Sequence, residues 1–379
     1  MQNLWKLVAC LVLLLALSAC AAPVQAPAAD PPTASESGEE AAMELIPITL
    51  QLQWVPQSQF AGYYAAVAEG FYKDEGLDVS IKPGAVEIVP QQVVATGEAE
   101  FGVAWVPKVM ASIEQGADLV HISQMFQRSG TLQVSWKDSN ITSPEDWRGM
   151  KVGTWGFGNE AELFAAMRKV NIDPNNPDDV TIVQQPFDMA LLLNREIDAA
   201  QAMIYNEYAQ VLEATNPETG ELYQPGDLDV ISMEDAGTAM LQDAIFVRGE
   251  WIESAENQDI AVRFLRASNR GWIFCRDNSE ACVDIVLDAG TALGHGHMTW
   301  MLNEINALIW PSPNGIGVLD PASWQQTAEI SQQFEIIAEM PGDSAYRTDL
   351  AEKALEGIDG DTNGSSWQKA SVEVTPGGE

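Results

Sequence analysis

The stretch from Leu50 to Ile81, LQLQWVPQSQFAGYYAAVAEGFYKDEGLDVSI, constrains the fold more than any other part of the chain. It opens as a strand. Ile48, Leu50 and Leu52 fall on one face and Thr49, Gln51 and Gln53 on the other, the period-two alternation of a pleated segment. Trp54-Val55-Pro56 ends it, because proline cannot continue a hydrogen-bonded ladder. A helix rich in alanine and aromatics follows from about Gln59 to Glu69, and Gly70 stops it. The Asp74-Glu75-Gly76 turn leads to a second strand, Leu77 to Lys82. This is one βαβ unit, and such units build a parallel sheet. In open parallel sheets ligands sit beyond the carboxyl ends of the strands. Trp54, Gln57 and the start of the helix fall at that place.

The alternation continues. Helices are expected at 90–96, 107–115, 160–170 and 189–195, and strands at 98–105, 119–126, 150–155, 180–184 and 200–204. A helix should start near Asn206, and mostly helical chain follows at about 255–275, 281–292, 298–309 and 321–339. Two further alternating segments, near 131–137 and 243–248, read as strands crossing between two lobes. The expected layout is a first lobe over 46–135, a second over 136–243, a helical return to the first over 244–345, and a loose polar tail over 346–379. Each lobe is expected to be α/β, a mainly parallel sheet flanked by helices.

Ahead of this body, residues 1–20 carry Lys6 and then an apolar run of signal-peptide length, too short for a stable membrane span. Leu17-Ser18-Ala19-Cys20 looks like a bacterial lipobox, which would make Cys20 a lipidated first residue on the outer face of the cell membrane. Residues 21–45 hold almost no large apolar groups and read as a disordered tether. The formal charge of −36 disfavours nucleic acid as a partner, since phosphate binding needs clustered Lys and Arg. Cys275 and Cys282 remain for pairing. One continuous helix through CRDNSEAC would hold them nearly two turns apart, too far to bridge, whereas a polar loop over 276–280 would allow a disulfide.

Three motifs invite chemistry and fall short of it. Gly156-Phe157-Gly158-Asn159-Glu160-Ala161 matches the dinucleotide fingerprint, but Glu160 would face the pyrophosphate; a glycine turn opening a helix toward a cleft is the better reading. His295-Gly296-His297 lacks Cys or carboxylate companions at metal-ligand spacing and reads as a loop between helices. Asp359, Asp361 and Asn363 imitate a calcium loop whose twelfth position is Ala370. No metal ligands and no catalytic residues are assigned.

What stands out is aromatic residues where strands meet helices: Trp54, Tyr63, Tyr64, Trp105, Trp136, Trp155, Phe157, Tyr205 and Tyr208. Polar companions recur beside them: Gln57, Gln127, Asn159, Glu160, Asn206, Glu207 and Asp243. Together they describe an aromatic slot lined with amides and carboxylates, suited to a flat, neutral, hydrogen-bonding ring. The chosen ligand-contacting set is Trp54, Gln57, Tyr63, Trp105, Trp155, Glu160, Tyr205, Asn206, Glu207 and Asp243.

The same residues carry a resemblance. W-x-P, then A-G-x-Y, then G-F-Y-x-x-E-G-L-D-V resembles the opening of solute-binding proteins of ABC importers, in the branch similar to thiamine-pyrimidine-synthesis proteins. QLQWVPQ-x-QFAGYYAA is most similar to the riboflavin-binding lipoproteins of riboflavin importers, and the likeness runs from about Ile48 to Trp324. The resemblance implies a two-lobed periplasmic-binding-protein fold that closes on its ligand and docks on a membrane permease with its ATPase. It implies riboflavin as transported ligand rather than cofactor, with a thiamine-precursor pyrimidine as alternative and an exported enzyme as a second one. It marks Trp54, Gln57, Gly62, Tyr63, Trp155, Glu160, Tyr205, Asn206 and Glu207. The pyrimidine relatives show W-x-P-N-x-x-H, where this chain has Gln57 and Phe60. Self-sacrificing chemistry would need that histidine.

Overall fold

The computed structural model describes residues 44–85 and 87–379. The signal segment, Cys20 and all but the last two residues of the expected tether lie outside the described residues. Among those described, no helix is long and apolar enough to cross a membrane.

Ten strands form two five-stranded sheets of matching design. They are β1 (Ile46–Gln51), β2 (Leu77–Lys82), β3 (Phe101–Ala104), β4 (Leu119–Gln124), β5 (Thr131–Trp136), β6 (Lys151–Thr154), β7 (Thr181–Gln184), β8 (Ala199–Met203), β9 (Leu228–Ser232) and β10 (Ala244–Arg248). The first sheet runs β2-β1-β3-β10-β4 and the second β7-β6-β8-β5-β9. In the first, β1 pairs parallel with β2 and β3, while β10 is antiparallel to β3 and β4. In the second, β6 pairs parallel with β7 and β8, while β5 is antiparallel to β8 and β9. The reversed strand in each sheet is the one that has just arrived from the other lobe. Both sheets are therefore mixed, within the expected two-lobed α/β architecture.

Three features differ from the sequence reading. β5 belongs wholly to the second sheet, so the chain crosses before residue 131 and returns between β9 and β10. β9 lies in a stretch the periodicity leaves unassigned, because Asp229 and Ser232 interrupt its apolar residues. The C-terminal segment is not loose. Leu350, Ala351 and Ala354 of the helix Asp349–Ala354 are buried in the first lobe's core. Trp367 packs on the same core and Val374 on that of the second lobe. Gly377 N then donates to Glu213 O at 3.0 Å.

The first lobe's core centres on the helix Ala255–Asp277, whose Ser254 side chain caps its N-terminus by accepting from Asn257 N. It packs on the helix Ala61–Ala68 at two glycines: a side chain on Gly271 would strike Gly62 O, and one on Gly62 would strike the Trp272 ring. The helix ends at Asn278, whose φ of −135° and ψ of 58° leave the helical region. That break brings Cys275 and Cys282 to a Cα separation of 5.1 Å, and a disulfide joins them, both cysteines fully buried. The continuous-helix alternative does not occur.

Candidate functional site

The cleft between the lobes holds a cavity of about 270 Å³. Its walls come from strand ends, as the βα rule requires. Trp54 follows β1, Trp105 caps the helix Val106–Glu114 after β3, Trp155 follows β6, and Tyr205 follows β8. Of the expected set, Trp54, Gln57, Trp105, Trp155, Tyr205, Asn206 and Glu207 line this cavity.

Three expected residues do not. Tyr63 is 1% exposed and packs edge-on to Trp272, with ring centroids 5.7 Å apart, inside the first lobe's core. The close crossing at Gly62 turns its face of the helix inward. Glu160 lines a smaller adjoining hollow with Arg168 and Glu335. Asp243 stands behind the wall and organises it. Its carboxylate accepts from Gln53 Nε2 at 2.6 Å, Gln59 Nε2 at 2.9 Å and Trp105 Nε1 at 3.0 Å. Gln57 Nε2 donates in turn to Gln59 Oε1 at 2.7 Å. Burial pushes the Asp243 carboxyl up to about 7, against the lowering effect of its three donors.

Buried carboxyls recur on the second lobe. Glu207 accepts from Met203 N and from Asn206 Nδ2, each at 2.9 Å, and burial pushes it up to about 7. Glu162 accepts from Met240 N at 2.6 Å and Gln242 Nε2 at 3.1 Å near the return crossing, and burial pushes it to about 7 as well. The expected loop at His295-Gly296-His297 is instead the first turn of the helix His295–Ile309. Buried His297 faces Glu213 Oε1 through Nδ1 at 2.8 Å and Asn206 Oδ1 through Nε2 at 3.0 Å. The imidazole bridges these two oxygens. It ties this helix to the second lobe. No group of residues suited to a metal ion occurs among the described residues.

Sequence reasoning missed several lining residues. Phe187, from the loop after β7, stands between two indoles: 4.2 Å from Trp54 at 40° and 5.9 Å from Trp155 at 8°, centroid to centroid. Gln53, Gln59, Gln91 and Lys108 also line the cavity. Phe157 does too, 62% exposed, in a run of three left-handed residues: Gly156 at φ 74°, Phe157 at 57° and Gly158 at 82°. The sequence singles out both the glycine turn and the Phe157 ring at its tip, but the expected ligand-contacting set omits the ring. Gln127 holds Gln124 O and Leu308 O near the crossing, and Trp136 donates to Leu192 O inside the second lobe.

Comparison with known proteins agrees with this architecture. The family model described as NMT1/THI5 like matches residues 57–281. The riboflavin-binding protein RibY of Chloroflexus aurantiacus is 25% identical over 347 residues, 89% of this chain and 95% of that protein. The formylaminopyrimidine-binding protein of Halalkalibacterium halodurans is 20% identical over 328 residues, 85% and 91% of the two chains. Among solved structures, the aliphatic sulphonate binding protein SsuA of Escherichia coli superposes with a TM-score of 0.56 at 16% identity, covering 87% of this chain and 94% of that one. The desulfurization enzyme DSZB has the same fold, with a TM-score of 0.53 at 13% identity over 81% of this chain and 99% of that one. With the matched model covering more than half of the chain, this protein belongs to the NMT1/THI5-like family and has the periplasmic-binding-protein fold.

Proposed function

We propose that this protein is the solute-binding component of an ABC-type importer and that its solute is riboflavin. The carrying observation is the cleft, whose indole and phenyl rings come from both lobes while its polar lining is mostly amide. Flat heteroaromatic rings bind such surfaces by stacking. The likeness to RibY over nearly the whole chain points the same way. A pyrimidine ligand is the second reading, favoured by the formylaminopyrimidine-binding relative. Against it, Phe60 is fully buried where the pyrimidine relatives carry histidine. An enzyme reading has less support: His121, His295 and His297 all lie outside the cavity lining. In the proposed arrangement Cys20 anchors the protein on the outer face of the cell membrane, and the closed lobes present the ligand to a permease and its ATPase.

Riboflavin, its phosphate and a formylated aminopyrimidine, titrated side by side, test the ligand. Riboflavin fluorescence should be quenched on binding, and the phosphate should bind more weakly, because a dianion approaches a chain of formal charge −36. Tight pyrimidine binding without flavin quenching would transfer the assignment to the second reading. For the anchor, Cys20→Ala should release the protein from the membrane; retention with lipid still attached would refute it.

A further inference from the structure

The cavity wall contains one cation among the described residues, Lys108, which lies over the Trp105 ring, 5.9 Å from its centroid, without a bonded carboxylate. It projects from the helix Val106–Glu114 of the first lobe. Its ammonium makes one hydrogen bond, to Asn159 Oδ1 of the second lobe at 3.1 Å. An amide oxygen does not neutralise a charge, and two of the three ammonium protons remain unassigned. Desolvation lowers this group to about 8, against the attraction of Glu160 and Asp243. A cation drawn out of water without a bonded carboxylate is costly unless something else meets it.

Two other lining residues hold buried polar atoms without partners. Trp155, 3% exposed, has a buried indole N–H without an acceptor, and Gln91, 2% exposed, has a buried amide oxygen without a donor. Buried polar atoms in native proteins are nearly always satisfied. The inventory is thus two kinds of donor, ammonium and indole N–H, and one acceptor. A pyrimidinedione edge, as on the isoalloxazine ring, offers the complement: two carbonyl acceptors and one imide N–H. An aminopyrimidine edge sets an amino donor beside a ring-nitrogen acceptor, so it lacks the second carbonyl that would serve the ammonium and the indole N–H together.

We infer that Lys108, with Trp155 and Gln91, is the specificity-determining group of this cleft and selects ligands bearing an imide edge over ligands bearing an amino edge. The inference rests on the riboflavin reading. On binding, a ligand carbonyl replaces Asn159 as the partner of Lys108. The charged and titratable groups around it are Glu160 and Asp243, Glu207 in the same wall, and Arg168 with Glu335 across the adjoining hollow. As pH rises Asp243 and Glu207 gain negative charge near 7 and Lys108 loses its positive charge near 8, so affinity for a carbonyl edge falls through about pH 8.

The test is riboflavin quenching and aminopyrimidine calorimetry with wild type, Lys108→Met and Lys108→Arg, on protein shown by melting to be folded. Lys108→Met should lose riboflavin affinity by about ten- to a hundredfold, the worth of one charge-assisted hydrogen bond. It should leave or improve aminopyrimidine binding, and its riboflavin affinity should no longer fall through about pH 8. Lys108→Arg should restore most of the riboflavin affinity. If Lys108→Met binds riboflavin as wild type does, or weakens both ligands alike, the assignment of Lys108 is overturned and the riboflavin reading stands. Wild-type protein that binds the aminopyrimidine and never quenches riboflavin overturns both.

Discussion

The two walls of the cleft commit their polar groups differently. On the first lobe the polar groups around Asp243 are tied to one another: Gln53, Gln59 and Trp105 all donate to its carboxylate, and Gln57 donates to Gln59. On the second lobe the Asn206–Glu207 pair is bonded, but the indole and the loop tip are left open. Trp155 holds an indole N–H with no acceptor, and Phe157 stands 62% exposed on three consecutive left-handed residues. A bulky residue in that region costs of order 1–3 kcal/mol and persists at sites with a task. The Asp243 network fixes where a ring can lie, while Lys108 and Gln91 of the first lobe and Trp155 of the second keep polar atoms for the ligand to complete, beside the strained aromatic tip of Phe157. That division suits a protein whose lobes meet around their solute.

The comparison breaks most visibly at the rings. Trp54→Ala and Trp155→Ala should each cost about 2–4 kcal/mol of binding, two to three orders of magnitude in affinity, if both are walls of the stacking slot. Quenching titrations read this directly, and an unchanged affinity in either variant removes that ring from the site.

A subtler pair sharpens the contrast. Trp105→Phe and Trp155→Phe keep the aromatic body and delete only the N–H. The Trp105 donor is committed to Asp243, so its loss should lower the melting temperature by a few degrees and leave riboflavin affinity nearly intact. The Trp155 donor is uncommitted, so its loss should weaken binding about tenfold with little change in melting. The reverse pattern would exchange the roles of the two walls.

Acidity acts on both walls together. Asp243, Glu207 and Glu162 are pushed up to about 7 by burial, from ordinary values of 3.8, 4.5 and 4.5. For an acid raised on folding, the folded chain holds the proton longer than the unfolded one, so stability is greatest below the unfolded value and falls as pH rises from about 4 to about 7. Ligand-free protein should therefore melt higher at about pH 5 than at about pH 7.5. Asp243→Asn should flatten part of that slope; an identical slope would place the titration elsewhere. The smallest effect is at the tip. Phe157→Gly should raise stability by up to about 1 kcal/mol by relieving the left-handed residue, while affinity falls a few-fold.

Legibility in the sequence follows the same division. Period-two strands ended by proline or glycine exposed the strand ends, and with them Trp54, Trp105, Trp155 and Tyr205, because local backbone chemistry sets those positions. Lys108 was hidden because a lysine in a short helix reads as solvated, and only the facing lobe makes it part of a wall. Phe187 sits in a loop without period, so its place between two indoles is a tertiary fact. Tyr63 misled for the converse reason: an aromatic in the leading motif points to the ligand or to the core, and the Gly62–Gly271 crossing decides for the core. The polar composition after residue 346 concealed three buried apolar residues, Leu350, Ala351 and Ala354, enough to seat a short helix.

The place of β10 governs the order in which this molecule can be assembled. In the first sheet β4 touches only β10, and β10 is made after the entire second lobe. A growing chain halted near residue 240 would already own every strand of the second sheet, while β4 waited beside a gap in the first. The sheet that appears second along the chain is thus the first whose strands are all made, and the sheet begun first is completed last. During synthesis the unpaired edges of β3 and β4 are the surfaces exposed to wrong partners, and the arrival of five residues, Ala244–Arg248, ends that exposure.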